Sequence, residues 1–374
     1  MHIIALDVPY PADYGAMIDA FYRCRALKKA GVKITLHCYE YGRGEQPALE
    51  EVAEKVIYYK RPMRTLDVFS RTPFIVKSRR SEALLENLLK DDYPIFFEGQ
   101  HTCSILDHPL LEKRRKFVRV HNIEWEYYAL LAERTSNPKK RIFFQLESWK
   151  LKRFDKKLVH AEALFCVSHQ DLEHYRKIHP QVILMPSSSP FEVPGEQPVR
   201  ERYAIYHANL SIEENDEAAR WIIQAFEEFD APMPLKIAGK NPSAELRAMA
   251  EKASFCELIA SPEQSVMTAL IANAGVQLLI TFQNAGIKLK LINSLVSGGV
   301  CIANPEMVNG TDLGQFCTIV NTKWELTKAL SQLEEKDLYP DTAYRQRFLL
   351  EHYHPDETAK RVVELLNVEG RMLN

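Results

Sequence analysis

Three stretches combine residue types that could do chemistry. In HNIEWEYY (121–128) a histidine, an amide and a carboxylate precede three aromatics, directly after the apolar run FVRV. An imidazole there can donate or accept a proton near neutral pH, which makes His121 the candidate catalytic group; a lone histidine is also commonly structural. In GIKLKLINSLVSGG (286–299), Gly286 leads into a helix that carries Lys288 and Lys290. Unpaired N–H groups at a helix start, with two lysines nearby, form a seat for a phosphate or diphosphate. The same residues read equally as an amphipathic helix with Leu289, Ile292 and Val296 inward and the lysines in water. In PYPADYGAM (9–17), Gly15 stands just before a helix, where a glycine lets the backbone approach a ligand or simply makes a turn.

These residues need elements to hold them. Short apolar, β-branched runs alternate with amphipathic stretches: HIIALDV (2–8), GAMIDAFYRCRALKKAG, then VKITLHC (32–38), the β-α-β pattern of a parallel sheet covered by helices. Five more strands are expected at 55–59, 93–98, 116–120, 163–167 and 181–185, making seven. Ser168, three residues before Asp171, reads as a helix cap. The segment PSSSPFEVPGEQPVRER (186–202) holds four prolines and no periodicity, the composition of a linker. Beyond it the alternation resumes, with strands expected at 203–209, 235–239, 255–259, 276–280, 300–304 and 317–320. His121 and Gly286 thus fall just after strands, where open parallel sheets place their ligands.

At 374 residues the chain is long for one core, and two domains are the default. The opening stretch MHIIALDVPYP has no basic n-region, and no window approaches the roughly 20 apolar residues of a membrane span, so a cytoplasmic protein is expected. The seven cysteines form no C-x-x-C pair, which points away from zinc sites and disulfide frameworks and toward small core residues. Net charge is −2, yet residues 1–190 carry 31 Lys and Arg against 24 Asp and Glu, while the remainder carries 17 against 26. The basic excess lies in KRRKFVR (113–119), NPKKRIFF (137–144) and WKLKRFDKKL (149–158), interleaved with aromatics. Such a surface could meet an anionic membrane or an acidic acceptor, or be merely solvated helix faces; no nucleic-acid module accompanies it.

Taken in order, the motifs resemble a two-domain GT-B glycosyltransferase of the family 4 type, retaining enzymes that move a sugar from a nucleotide-sugar to an acceptor. The resemblance rests on VPYPADYGAMIDAFYRCRAL, HNIEWEYY, LESWKLKRFDKKLVHAEALFCVS, GIKLKLINSLVSGG and VCIANPEMVNG, and spans nearly the whole chain. It implies an α/β protein of two Rossmann-like doubly wound domains facing a cleft. These would be an acceptor-side domain (1–190), a linker (191–200), a nucleotide-sugar domain (201–352) and a closing helix (353–374) that returns to the first domain.

The resemblance further implies that His121 faces the donor sugar, that Gly15 lies near the donor phosphates, and that Gly286, Lys288 and Lys290 hold the diphosphate. Positive charge and helix dipole would then stabilise the leaving diphosphate without a metal. Asn122, Glu124, Trp125 and Tyr14 fall on the acceptor or sugar side, with Trp125, Tyr127 and Tyr128 alternatively anchoring the helix behind His121. The co-substrate would be a UDP- or GDP-sugar, and the acceptor a glycan or a lipid-linked acceptor.

Departures from the family pattern accompany it. The Glu-x7-Glu pair is replaced by Ala285 and Asn293, of which Asn293 could still bond a ribose hydroxyl. An expected Arg and Lys give way to Asn209 and Glu214, and the second glycine of the first loop is Ala16. A glutamate beside a diphosphate is unfavourable. An epimerase or phosphorylase on the same architecture, or a degenerate pair of domains that binds nucleotide or serves as a partner subunit, are the alternatives.

Overall fold

β-Branched and aromatic residues concentrate in short runs, and those of the central strands are buried on both faces, the signature of strands sandwiched between helix layers. The computed structural model describes residues 1–13, 15–188, 190, 191, 193, 199–282 and 289–367. The chain divides into two compact units, one running from Met1 to Pro190 and resuming at Tyr353, the other Phe191–His352.

The first unit is built on β1 (His2–Ala5), β2 (Thr35–Glu40), β3 (Lys55–Lys60), β4 (Ile95–Glu98), β5 (Lys116–Val120), β6 (Ala163–Cys166) and β7 (Val182–Leu184). They form one sheet in the order β3-β2-β1-β4-β5-β6-β7, with every pair parallel. The order reverses between β1 and β4, the switch point at which such sheets open a crevice at the carboxyl ends of their strands. Helix α1 (Gly15–Lys29) follows β1, α2 (Glu124–Arg134) follows β5, α3 (Pro138–Phe154) pairs with α2, and α4 (His169–Tyr175) follows β6. Ser168 caps α4 as expected: its hydroxyl accepts from the Asp171 N–H at 3.1 Å and donates to Asp171 Oδ2 at 2.6 Å.

The second unit carries β8 (Glu201–Asn209), β9 (Leu235–Lys240), β10 (Cys256–Ala260), β11 (Ala274–Leu279), β12 (Val300–Ala303) and β13 (Thr318–Ile319), ordered β10-β9-β8-β11-β12-β13 and again parallel throughout. Helix α5 (Glu213–Glu228) follows β8, and α6 (Leu289–Ser297) precedes β12. Helix α6 ends at Gly298, whose φ of +93° closes the helix as side chains rarely can; Arg200 Nη2 donates to the last-turn carbonyl of Ser297 at 2.9 Å.

The final helix, α7 (Pro355–Asn367), packs on α1 of the first unit. Its Ala359, Val362 and Leu366 are buried with Ile3, Phe21 and Leu27. Arg115 completes its C-terminus by donating to the carbonyls of Leu365 (2.9 Å) and Leu366 (3.0 Å).

The sequence's basic stretches are not simply a surface. Lys116, Arg119 and Lys150 are buried, because strand alternation and helix packing turn them inward onto specific acceptors. Lys116 Nζ donates to the Leu106 carbonyl at 3.0 Å, and Lys150 pairs with buried Glu147 at 2.8 Å. Five of the seven cysteines are buried and all seven are free thiols. Among the described residues no helix is long and apolar enough to cross a membrane.

Candidate functional site

The carboxyl ends of β4 and β5 lie side by side, with Glu98 in register with Arg119. Strand β4 is followed by Gly99, at φ +78°, so the chain turns where a side chain would be strained. A Cβ at Gly99 would stand 3.1 Å from His101 Nδ1 and 3.3 Å from His121 Cδ2, so both imidazoles crowd the glycine. His121, one residue past β5, sets Nε2 3.6 Å from Glu98 Oε2.

Behind this pair lies a buried chain of alternating charges. Glu98 Oε1 accepts from Arg23 Nη2 at 2.5 Å and Nε at 3.1 Å, and Arg23 Nη1 donates to Asp19 Oδ2 at 2.7 Å. Arg119 Nε reaches the same Asp19 oxygen at 2.9 Å, and the Ser188 N–H donates to Asp19 Oδ1 at 2.8 Å. Burial alone would raise both carboxyls. The Arg119 and Arg23 guanidinium groups outweigh it at Asp19, and Arg23 and the nearby His121 imidazole outweigh it at Glu98, so both are held below their usual range. Glu98 is therefore a fixed anion presented to His121.

Glu124, the first residue of α2, points the other way in its chemistry. Burial, reinforced by the charges of Asp171 and Asp155, pushes its carboxyl up to about 8, and Asp171 is raised to about 6, chiefly by burial. His101 Nδ1 stands 3.9 Å from Glu124 Oε1, and its imidazole is held well below its usual range by burial and then by Arg79, His121 and Arg61. Buried Glu98 Oε2, Gln100 Oε1, His101 Nδ1, His121 Nε2 and Trp125 Nε1 all lack a hydrogen-bond partner among the described residues. Buried polar atoms are rarely left so, and the three that meet at this locus, on Glu98, His101 and His121, make a place where a polar ligand completes the bonding.

The sequence expectation for HNIEWEYY divides here. His121 and Glu124 belong to this cluster. Asn122 contributes its carbonyl to Tyr175 Oη at 3.2 Å. Trp125 turns back to the scaffold, its ring 4.3 Å beneath Lys152 Nζ and 6.1 Å from His174, and Tyr128 packs edge-on to Phe144; these aromatics anchor the helix. Tyr14 lies outside the described residues. Gly15 starts α1 with open space over its α-carbon among the described atoms. The sequence reading passed over Glu98, Gln100 and His101; the run FFEGQH, polar groups around a glycine at a strand end, was the available signal.

In the second unit, Gly286, Lys288 and Ala285 lie outside the described residues. Lys290 Nζ donates to the Ile280 carbonyl just past β11 at 3.3 Å and stands 5.0 Å from the Tyr206 ring centre. Its charge, after burial, holds His207 down at about 4, and His207 Nε2 meets Ser294 Oγ at 3.2 Å. Asn293 is exposed on α6, while Ile292 and Val296 are buried and Leu289 is half-buried. Asn209, at the end of β8, accepts with Oδ1 from the Ser211 N–H (3.2 Å) and hydroxyl (2.7 Å). Helix α5 opens with Glu213, Glu214 and Asp216, acids that satisfy the helix dipole from within and repel a diphosphate there.

No family model matches the chain. A curated relative, an uncharacterized 44.6 kDa protein in the cps region of Klebsiella pneumoniae, is 24% identical over 340 residues, which covers 85% of this chain and 84% of the relative. Among solved structures, Anabaena Alr3699/HepE in complex with UDP aligns with a TM-score of 0.67 at 10% identity, covering 98% of each chain. The GtfA/B complex aligns at 0.64 and 12% identity, and a trehalose-6-phosphate synthase studied for glycosyltransfer with retention at 0.61 and 10%, both again over 98% of each chain. These likenesses run the length of the molecule and, with the two parallel sheets, show that the chain has the GT-B fold.

Proposed function

We propose that the protein is a retaining, family 4-type glycosyltransferase that moves a hexose from a UDP- or GDP-sugar to a glycan or lipid-linked acceptor. The observation that carries this reading is His121, set at the carboxyl end of β5 against the fixed Glu98 carboxylate and beside unpartnered polar atoms of Glu98 and His101. A polar ligand with several hydroxyls, such as a sugar, supplies the missing bonds. His121 meets the donor sugar, Asn122 and Glu124 serve the sugar or acceptor, and the second unit binds the nucleotide. There Lys290, with Gly286 and Lys288, holds the diphosphate, and Asn293 and Asn209 reach the nucleoside; Gly15 of the first unit adds backbone near the phosphates. Stabilising the departing diphosphate by fixed cations and helix N–H groups is the main catalytic contribution, with no metal called for. The UDP-bound GT-B neighbour supports the class of co-substrate.

A cytoplasmic protein docked on an anionic membrane suits a lipid-linked acceptor. Ile142, Leu146 and Trp149 are exposed along one face of α3 beside Lys139, Lys140 and Arg141, and Leu66 and Phe69 are exposed beside Arg64 and Arg71, pairing apolar anchors with cations.

Titration calorimetry and thermal shift with UDP, GDP and their sugar conjugates test the reading, since a ligand of the folded state raises its melting temperature. Selective binding of one conjugate, weakened in Lys290→Ala, is the expected result. A second reading, a non-catalytic partner subunit, is favoured by Glu214 at the acidic start of α5 and by exposed Asn293 in place of a carboxylate. Silence from every nucleotide at about millimolar concentration would select it.

A further inference from the structure

Two arginines of the first unit crowd one tyrosine. The guanidinium carbon of Arg61 stands 4.4 Å from the Tyr41 ring centre and that of Arg79 stands 5.8 Å from it. Arg61 Nε donates to Ser78 Oγ at 3.1 Å, and buried Arg79 donates from Nε to the Leu6 carbonyl at 2.7 Å and from Nη1 to the Ile75 carbonyl at 2.8 Å. Neither pairs with a carboxylate among the described residues, and both Nη atoms of Arg61 and Nη2 of Arg79 donate to none of them. Burial, then the Arg61 charge, lowers Arg79 to about 10.

The acids near this pair are already engaged or neutral. Glu98 is taken by Arg23, Asp7 stands 3.6 Å from Arg43, and Glu124, pushed up to about 8, is uncharged at neutral pH. The pair borders the His121 locus: Leu6, whose carbonyl Arg79 holds, also sets its side chain 3.4 Å from the Cβ position of Gly99, where His101 and His121 converge. Two neighbouring guanidinium groups, one buried, with no carboxylate paired to either and only the charge of Asp7 reaching Arg79, are costly, and the fork geometry of arginine matches a phosphoryl group.

We propose that Arg61 and Arg79, with His101 at their side, form an oxyanion subsite for a phosphoryl group of the acceptor, one step from His121. Its assignment to the acceptor rests on the transferase reading; the anion binding itself does not.

The test is calorimetric titration of the full chain with inorganic phosphate, with and without saturating UDP. The expected result is binding that persists with UDP present and in Lys290→Ala, and that weakens about tenfold or more in Arg61→Ala. Arg79→Lys, which keeps the charge and loses the fork, should weaken it as well while melting near the wild-type temperature. Equal phosphate binding in wild type and Arg61→Ala, or binding that UDP displaces, would overturn the subsite. Two further arms read the source of the phosphoryl group. Flotation with phosphatidylcholine vesicles containing phosphatidic acid, lost in Arg61→Ala, assigns a lipid headgroup, and binding of glucose 6-phosphate without flotation assigns a soluble one. Failure of both arms overturns the acceptor assignment. Nucleotide silence with phosphate binding intact would sink the transferase reading and leave the subsite standing.

Discussion

His121 Nε2 and Glu98 Oε2 face each other at 3.6 Å, and neither atom has another partner among the described residues. Because Arg23 holds the second Glu98 oxygen, the carboxylate has little freedom to turn away. On the transferase reading Glu98 acts as a positioning residue, its fixed charge orienting the imidazole across that gap. Glu98→Gln should lower kcat about tenfold to a hundredfold with a smaller change in donor KM, while His121→Ala abolishes transfer with little loss of fold. An unchanged kcat in Glu98→Gln would remove Glu98 from the mechanism, and a fully active His121→Ala would remove His121.

Glu124 gives the fold an alkaline weakness. Its folded carboxyl titrates at about 8, whereas an unfolded glutamate titrates near 4.3. The native state therefore holds a proton that the unfolded chain has released, and stability falls as pH rises between those values, by at most about 1.4 kcal/mol per pH unit. Glu124→Gln, already neutral, should flatten that slope in urea melts between about pH 5 and pH 8. An equal slope in both proteins would contradict the buried neutral acid.

His37 acts at the acidic end. Its Nε2 meets His2 Nδ1 at 2.8 Å and its Nδ1 meets Tyr59 Oη at 2.8 Å; burial and then the His2 charge hold it at about 3. Unfolded histidine takes a proton near 6.5, so the folded state loses stability as pH falls from there toward 3. His37→Gln should be less stable at neutral pH yet show a shallower acid slope by circular dichroism melts, and a slope as steep as wild type would assign the acid sensitivity elsewhere.

Asp19 is the node that joins α1, β5 and the segment at Ser188. Replacing it by Asn leaves two buried arginines short of an anion, and Asp19→Asn should cost about 3–5 kcal/mol in urea denaturation. A loss below about 1 kcal/mol would mean that the network is satisfied without it.

All thirteen strands were legible from short apolar, β-branched runs; in the central strands, burial on both faces of a parallel sheet writes itself into consecutive residues. The place of His121 was legible for the same reason, as the residue after such a run. Its partner was not. Glu98 precedes it by 23 positions, and only the strand order, which sets β4 beside β5, brings the two together. Charge told even less: Lys116, Arg119 and Lys150 counted toward a basic surface in the sequence and lie inside the fold. Arg61 and Arg79 sit in segments with no pattern of their own, yet tertiary packing turns both onto Tyr41. Hydrophobic periodicity is a local property and determined the elements. The pairing of distant charges depends on topology, and only the folded chain decided it.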